Sequence, residues 1–395
     1  MRHQTIFVIN SGSSSLKYQL IEPVSGDILA KGIAERIGTD RGEVTHEVHA
    51  EKFSETLPLP THKEALTRII EMFATHGPDL AHVDLSGFGH RIVQGGWHFK
   101  GPAIVDEDVR AKIEELCDLA PLHNPAHLIG IDTAMELWPD LPHVAVFDTA
   151  YFAGLPEKAR TYALDKEVAH EYHIRRYGAH GTSHEFVANK VCDYLGDDTV
   201  KQITLHLGNG ASACAELGRL PMDTSMGLTP LEGLVMGTRT GDIDPAVVFH
   251  LLRKGMSVSD IDTLFNKKSG MLGLCGDNDM RDVWKRRDEG DSDALLALQT
   301  YQQRLLKYIG AYTFELGGLD VLTFTAGIGE NDVRTRRRLC EKLEFFGVKI
   351  DRERNDNRDR SKAIWRISSD DSKVLVLVVP TNEELAIARQ VVRLI

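Results

Sequence analysis

Ile6-Phe7-Val8-Ile9-Asn10-Ser11-Gly12-Ser13-Ser14-Ser15-Leu16-Lys17-Tyr18-Gln19-Leu20 joins an apolar run to an alternating segment through a turn rich in glycine and serine. Leu16, Tyr18 and Leu20 fall on one face of a period-2 segment, so the stretch reads as strand, tight turn, strand. A β-hairpin is expected. Its turn presents backbone N–H groups and hydroxyls at close quarters, which suits a phosphate and equally suits a plain polar turn. It is not a P-loop, because the Gly-Lys-Ser/Thr ending is missing and no helical pattern follows. The pattern recurs at Ile203-Thr204-Leu205-His206-Leu207-Gly208-Asn209-Gly210-Ala211-Ser212-Ala213-Cys214-Ala215-Glu216-Leu217. Gly210 and Ser212 follow Gly12 and Ser14 by 198 residues, half of a chain of 395. A repeat at that spacing predicts a duplicated domain with one phosphate-type turn in each half.

The length alone calls for two domains. With 42% hydrophobic and 26% charged residues, the composition is that of a soluble globular protein. A formal charge of −12 argues against nucleic acid or an anionic membrane as the main partner, so an anionic ligand must be met by locally placed Arg, Lys or helix N-termini. Met1-Arg2-His3-Gln4-Thr5 leads into the first strand without the pattern of a secretion signal, and no apolar run approaches membrane-spanning length. A cytoplasmic location is expected. Cys117, Cys192, Cys214, Cys275 and Cys340 are odd in number and contain no C-x-x-C pair, as reduced thiols would be.

Between the two hairpins, Asp27 to His49 reads as a meander and Thr61 to Phe73 as an amphipathic helix. Gly89-His90-Arg91 sits at a strand end among glycines, where an Arg suits either an anion or a solvated loop. Asp108 to Cys117 is helical in pattern, and Asn124-Pro125 opens a further helix with Asn as its expected cap. Val144-Ala145-Val146-Phe147-Asp148 is a buried-type strand ending in a carboxylate, a position that often faces a ligand crevice. Thr182 or Ser183 is expected to cap the next helix. His180 and His184 are spaced for one helix face, but no third metal ligand is evident.

Beyond the second hairpin, Asp223 to Pro245 is a long glycine-punctuated loop that carries Arg239. Leu295 to Leu316 is a long helix. Val321 to Asn331 is a buried strand running into a Gly327-Ile328-Gly329 turn. Val374 to Arg389 reads as a buried strand, a Pro stop, an Asn382 cap and a helix with Glu383 and Glu384 in its first turn.

Asn10 to Lys17, Gly89-His90-Arg91, Phe147-Asp148-Thr149-Ala150, Arg176 to His184, His206 to Ser212, Met236-Gly237-Thr238-Arg239 and Thr381-Asn382-Glu383-Glu384, in that order, resemble the acetate kinase family within the acetate and sugar kinase, Hsp70 and actin superfamily. The resemblance implies an α/β fold of duplicated ribonuclease-H-like (actin-like ATPase) domains with a central interdomain cleft. The domains are expected at residues 1–150, completed by a helix near 384–395, and at 151–383. It also implies ATP or ADP, Mg²⁺ that Mn²⁺ can replace, a small carboxylate substrate and a homodimer. Arg91, Asp148, His180 and Arg239 are then catalytic. Asn10, Lys17, His206, Gly208, Asn209 and Gly210 serve the phosphates, with Asp279, Met280, Arg281, Gly327, Ile328, Gly329 and Asn331 for the nucleoside. Asn10 and Glu383 are expected at the metal, with Glu384 as alternative to Glu383. Arg91, Val93, Leu122, Ala179 and Pro230 would line the acyl site. The chain departs from the family pattern at Ala179, where Phe is usual, at Phe152-Ala153-Gly154-Leu155, and at Cys275-Gly276-Asp277-Asn278.

The expected chemistry is direct phosphoryl transfer from ATP to acetate, with propionate and butyrate as alternative acceptors. A carboxylate is already ionised at pH 7 and needs no general base; the obstacle is repulsion between two anions, which Arg forks and in-line positioning overcome. His180 then acts as a hydrogen-bond donor. A non-catalytic nucleotide switch of the actin or Hsp70 kind would use the same fold but leave two Arg in Gly/Thr loops unexplained. A sugar kinase would want a base carboxylate and polar pocket walls.

Overall fold

The computed structural model describes residues 4–80, 82–359 and 361–395. The reading of Met1-Arg2-His3 as a lead into the first strand lies outside the described residues. The chain divides into two compact units, one made of the chain up to Tyr151 together with Asn382–Ile395, the other of Phe152–Thr381.

In the first unit, β1 (Thr5–Ser11), β2 (Ser15–Ile21), β3 (Ile28–Glu35), β4 (Thr39–Val48), β5 (Glu51–Leu59), β6 (Leu85–Ile92), β7 (Ala103–Ile104) and β8 (His143–Phe147) form one sheet ordered β5-β4-β3-β2-β1-β6-β8-β7. In the second, β9 (Lys201–Leu207), β10 (Ala211–Leu217), β11 (Leu220–Thr224), β12 (Val321–Thr325), β13 (Trp365–Arg366) and β14 (Leu375–Val378) are ordered β11-β10-β9-β12-β14-β13. Three antiparallel strands followed by two parallel ones recur in both: β3-β2-β1 then β6 and β8, and β11-β10-β9 then β12 and β14. That shared order is the duplicated ribonuclease-H-like α/β pattern. The two hairpins open it in each unit, and their turns differ in length. Ser11 pairs Leu16 around Gly12 to Ser15, whereas Leu207 pairs Ala211 around Gly208, Asn209 and Gly210.

The parallel strands are buried throughout, as strands covered on both faces must be: every residue of β8 and of β12 is buried. In the first unit, helices His62–His76, Asn124–Leu137 and Glu383–Val392 pack on the sheet. Thr61 caps the first of these, accepting from the Lys63 N–H, and Ala65, Leu66, Ile69 and Phe73 are buried. The expected helix near Asp108 spans Glu107–Glu115. In the second unit, helices Gly181–Leu195 and Ser292–Glu315 pack on the sheet.

Three local expectations are corrected. Asn124 does not cap its helix; His123 holds that position, and the Asn124 amide instead accepts from the Gln94 N–H at 3.2 Å and donates to the Gln94 carbonyl at 3.0 Å. Thr182 and Ser183 do not cap theirs either. His180 occupies the cap with φ 60°, and the Ser183 hydroxyl bonds His206 and Thr381 at 2.8 Å each. In each case a distant buried partner outcompetes the local N–H. Finally, Gly327-Ile328-Gly329 is no turn but part of a short helix, Ala326–Asn331, entered through Ala326 at φ 63°.

Glycine is required where the last helix meets β6. A Cβ on Gly89 would stand 2.6 Å from Ile387 Cγ2 and 3.0 Å from Val391 Cγ2, whereas one on Gly101 meets open space. Gly89→Ala is therefore expected to destabilise the first unit by about 1–3 kcal/mol through overpacking. Urea unfolding followed by circular dichroism should show an earlier midpoint for Gly89→Ala and none of that shift for Gly101→Ala.

Candidate active site

In the first unit the expected residues gather at the ends of β1, β6 and β8. Arg91, at the end of β6, donates to Asp148 from Nε at 3.3 and 3.1 Å and from Nη2 at 2.7 Å, and its Nε lies 3.5 Å from a Glu383 carboxylate oxygen. Asp148 is 1% exposed. Burial works against the Arg91 charge, but Asp148, Glu383 and Glu384 outweigh it and raise the guanidinium pKa. Glu384 is pushed up by burial and then by Glu383, against the pull of Arg91 and Lys17. His127, which the sequence did not single out, is pushed down to about 3 by burial and by the Arg91 charge, so it stays neutral.

The first turn is held from behind. His62 Nε2 bonds the Gly12 carbonyl at 2.7 Å, and a Cβ on Gly130 would press within 2.7 Å of the Ser11 Cβ. Asn10 and Lys17 pair across the hairpin. Val93 is buried and Leu122 exposed. The Gln94-Gly95-Gly96 bend that follows Val93 is fixed by Asn124 and by Thr149, whose Oγ1 accepts from the Gly95 N–H at 2.9 Å.

In the second unit, His180, His206, Gly210 and Arg239 come together. The His180 and His206 rings stack with centroids 4.2 Å apart. A Cβ on Gly210 would lie 3.4 Å from His180 Nε2 and 3.8 Å from Arg239 Nη1, so both side chains border that glycine. Arg239 donates to the Pro230 carbonyl at 3.2 Å and approaches the Met236 sulfur at 3.9 Å; no carboxylate pairs with it among the described residues. Burial lowers its pKa. The long loop is thus an ordered cradle for a cation, and Gly237 within it donates to the Asn209 carbonyl at 2.8 Å.

Behind His180 lie four residues, Ser212, Ser183, His184 and Glu216, to which the sequence assigned no part in the reaction. The Ser212 hydroxyl lies 2.9 Å from His180 Nδ1 and 2.8 Å from His184 Nε2. Ser183 bonds His206 at 2.8 Å. Glu216, fully buried, lies 3.8 Å from His184 Nδ1. The signal was the period-2 placement of Ser212, Cys214 and Glu216 on one face of β10.

A cavity of about 850 Å³ adjoins the second turn. Gly208, Asn209, Asp279, Met280, Arg281, Gly327, Ile328 and Asn331 line it; Gly329 faces Phe324 and Leu205 of the sheet. The departing segment has a structural part here, because Asn278 donates to the Asn209 side chain at 3.1 Å. Trp284, unforeseen, adds a flat wall, with its indole N–H on Asp332 at 2.8 Å and the Arg334 guanidinium 4.2 Å above its ring.

Ala179 is 2% exposed and belongs to the core of the second unit. The Phe152 ring packs directly against Gly178, the residue before it. An aromatic side chain from the departing 152–155 segment therefore lies against the residue next to Ala179.

The acetokinase family model matches residues 5–389. An acetate kinase of Leifsonia xyli subsp. xyli (strain CTCB07) is 53% identical over 388 residues, covering 98% of this chain and 97% of its own. Among solved structures, acetate kinase of Porphyromonas gingivalis superposes with a TM-score of 0.92 at 40% identity, covering 99% of both chains. A propionate kinase from Francisella tularensis subsp. tularensis SCHU S4 gives 0.92 and 40%, covering 98% of both. With the repeated sheet, the two glycine turns and matches that run nearly end to end, the chain belongs to the acetokinase family.

Proposed function

We propose that the chain reversibly transfers the γ-phosphoryl group of ATP to acetate, giving acetyl phosphate and ADP by direct in-line displacement. The observation that carries this is Arg239: a half-buried guanidinium with no carboxylate partner among the described residues, beside His180 and a glycine turn. A desolvated cation without a counter-charge is a standing site for an anion.

Acetate brings its own negative charge, so the protein has to suppress repulsion rather than remove a proton. Arg239 neutralises charge on the transferring group, and His180 donates a hydrogen bond to it. Arg91, oriented by Asp148, holds the acetate carboxylate with its planar fork. Asn10, Lys17 and the Gly208–Gly210 turn hold phosphate oxygens, and the cavity lined by Ile328 and Trp284 takes the nucleoside.

Mg²⁺ fits the first unit. Three carboxyl groups, Asp148, Glu383 and Glu384, are set against Arg91 and Lys17, and burial with the Glu383 charge already pushes Glu384 up. An excess of oxygen ligands suits a hard divalent cation, which Glu383 and Asp148 would hold and which would neutralise phosphate charge. Glu383 is the preferred carboxylate. A homodimer is part of the proposal, supported by the helix Ala246–Arg253, which buries none of its side chains and leaves Phe249 and Leu252 exposed. So is a cytoplasmic location, which fits five unpaired cysteines; among the described residues no helix is long and apolar enough to cross a membrane.

Trapping the product with hydroxylamine tests the reaction. ATP-dependent acetyl hydroxamate is expected, and its absence with acetate, propionate and butyrate alike would overturn the proposal; product formed only with sugars would favour the hydroxyl-acceptor reading. Arg91→Ala and Arg239→Ala should each lower turnover by about a thousandfold or more with unchanged circular dichroism. Near-normal turnover would remove that residue from the mechanism. Glu383→Ala should raise the Mg²⁺ concentration needed for half-maximal rate, and the same effect confined to Glu384→Ala would move the ligand by one residue. For acyl size, the Phe152 packing implies a filled pocket. Ala179→Phe should then harm all three acids or the fold, while Phe152→Ala should improve kcat/KM for propionate and butyrate relative to acetate by about tenfold or more. An Ala179→Phe enzyme that loses only the longer acids would show the pocket to be open.

A further inference from the structure

Ser212, Cys214 and Glu216 project from β10 onto the face that the helix Gly181–Leu195 covers, opposite His206, Thr204 and Gln202 of β9. The result is a dry polar seam running inward from the glycine turn. Glu216, His184 and Ser212 are each 0% exposed. One hydroxyl hydrogen on Ser212 is contested by two imidazole nitrogens, His180 Nδ1 at 2.9 Å and His184 Nε2 at 2.8 Å. Ser212 can donate to only one of them, so the other must donate to Ser212.

The inner end decides which. His184 Nδ1 and Glu216 Oε1 face each other at 3.8 Å, and neither has a hydrogen-bond partner among the described residues. The gap is longer than a hydrogen bond, but a shift of about 1 Å closes it; the Cys214 thiol, the other polar group of the cluster, is only a weak donor and lies 3.6 Å from the Ala215 carbonyl. Burial pushes the Glu216 carboxyl well above the usual carboxylate range, and burial followed by His206 holds His184 well below the usual imidazole range. A neutral carboxylic acid and a neutral imidazole make one consistent chain. The Glu216 O–H donates to His184 Nδ1, His184 Nε2–H donates to Ser212 Oγ, and Ser212 O–H donates to His180 Nδ1. The only proton left to a neutral His180 sits on Nε2, the atom that borders Gly210. Thr204 Oγ1 donates to the other Glu216 oxygen at 3.2 Å, so the opposite polarity, with His184 Nδ1–H donating to Glu216, would need a buried carboxylate; it would also place the His180 proton on Nδ1 and leave none on Nε2 to donate to a phosphoryl group.

We infer that Glu216, in its neutral acid form, acts through His184 and Ser212 to hold His180 as the Nε2–H tautomer, so that these three are positioning residues for the donor to the transferring phosphoryl group. The inference rests on the reading of His180 as that donor. No proton leaves the chain: each group keeps one hydrogen and one acceptor, and the chain fixes direction only. The same neighbourhood brings His184, Cys214 and Glu216 within 4.8 Å of one another, a geometry that a metal could exploit. Burial opposes that use, because it pushes the Cys214 thiol, like the Glu216 carboxyl, towards its protonated form.

Full-length enzyme labelled with ¹⁵N-histidine, with His180 assigned by comparison with His180→Gln, reports the tautomer by long-range ¹H–¹⁵N correlation at neutral pH. The expected state is Nε2–H in the natural enzyme and in Glu216→Gln, whose amide N–H can replace the acid. Glu216→Met keeps the volume but cannot donate; it should give a mixture of His180 tautomers and lower kcat by about tenfold or more with KM for ATP and acetate unchanged. Ser212→Ala cuts the chain at its middle and gives the same readout should Glu216→Met not fold. A proton on His180 Nδ1 in the natural enzyme, an unchanged tautomer in both Glu216→Met and Ser212→Ala, or a stoichiometric metal ion lost on Glu216→Gln would each overturn the inference. Full turnover in His180→Ala would instead overturn the donor reading, with the tautomer measurement unaffected.

Discussion

A guanidinium taken partly out of water without a counter-ion is costly to fold, and Arg239, which has no carboxylate partner among the described residues, is held by a carbonyl oxygen, a thioether and a tightly tied loop. Arg91 shows the other arrangement. It is locked to Asp148 by three hydrogen bonds and approached by Glu383, so its charge is spoken for before any ligand arrives. The two arginines therefore cannot be doing the same thing. A compensated guanidinium oriented by a carboxylate is a rigid fork that gives direction; an uncompensated one contributes net charge. The proposed transfer of a phosphoryl group to an anion would use both, the first to aim the nucleophile and the second to make the approach of like charges tolerable.

The fold was legible because its signals are local. Period-2 alternation on either side of a glycine turn identifies a hairpin wherever it occurs, and finding it twice at half-length spacing identified the duplication before any sheet order was known. Arg91 and Arg239 stood out for the same reason, as charges among glycines and threonines where neither a helix face nor a strand face accounts for them. The failures are equally instructive. Asn124 and Ser183 sit in sequences that read as caps, since short polar side chains can satisfy a nearby N–H. Each is instead taken by a buried partner far along the chain, Gln94 for one and His206 with Thr381 for the other. Local pattern says what a side chain is able to bond; only the tertiary fold says which competitor is present.

Ala179 illustrates a different limit. The residue type at one pocket position carries little information about pocket size when another element can move into the space, and here the Phe152 ring packs on the adjoining Gly178. Interiors are filled to a nearly constant density, so a lost side chain at one position is commonly met by a gained one elsewhere. Substrate size is a property of the summed lining, which no single departure from a family pattern expresses.

The polar seam beside β9 and β10 shows why alternation is only half of a prediction. The apolar members, Ile203, Leu205, Leu207, Ala211, Ala213 and Ala215, belong to the core of the second unit. Their polar alternates, Gln202, Thr204, His206, Ser212 and Glu216, would face water in an ordinary one-sided sheet. All are buried, because the helix Gly181–Leu195 lies over them; Gln202 reaches the Ala188 carbonyl and the Cys192 sulfur of that helix. A polar face sealed by a helix must satisfy its hydrogen bonds internally, and a nearly complete internal chain has one consistent direction for its protons. The helix that closes the seam begins at His180, whose left-handed backbone at φ 60° turns its ring back onto Ser212. Covering the sheet and aiming the histidine are thus a single structural event, and the strain at His180 is the local sign of it.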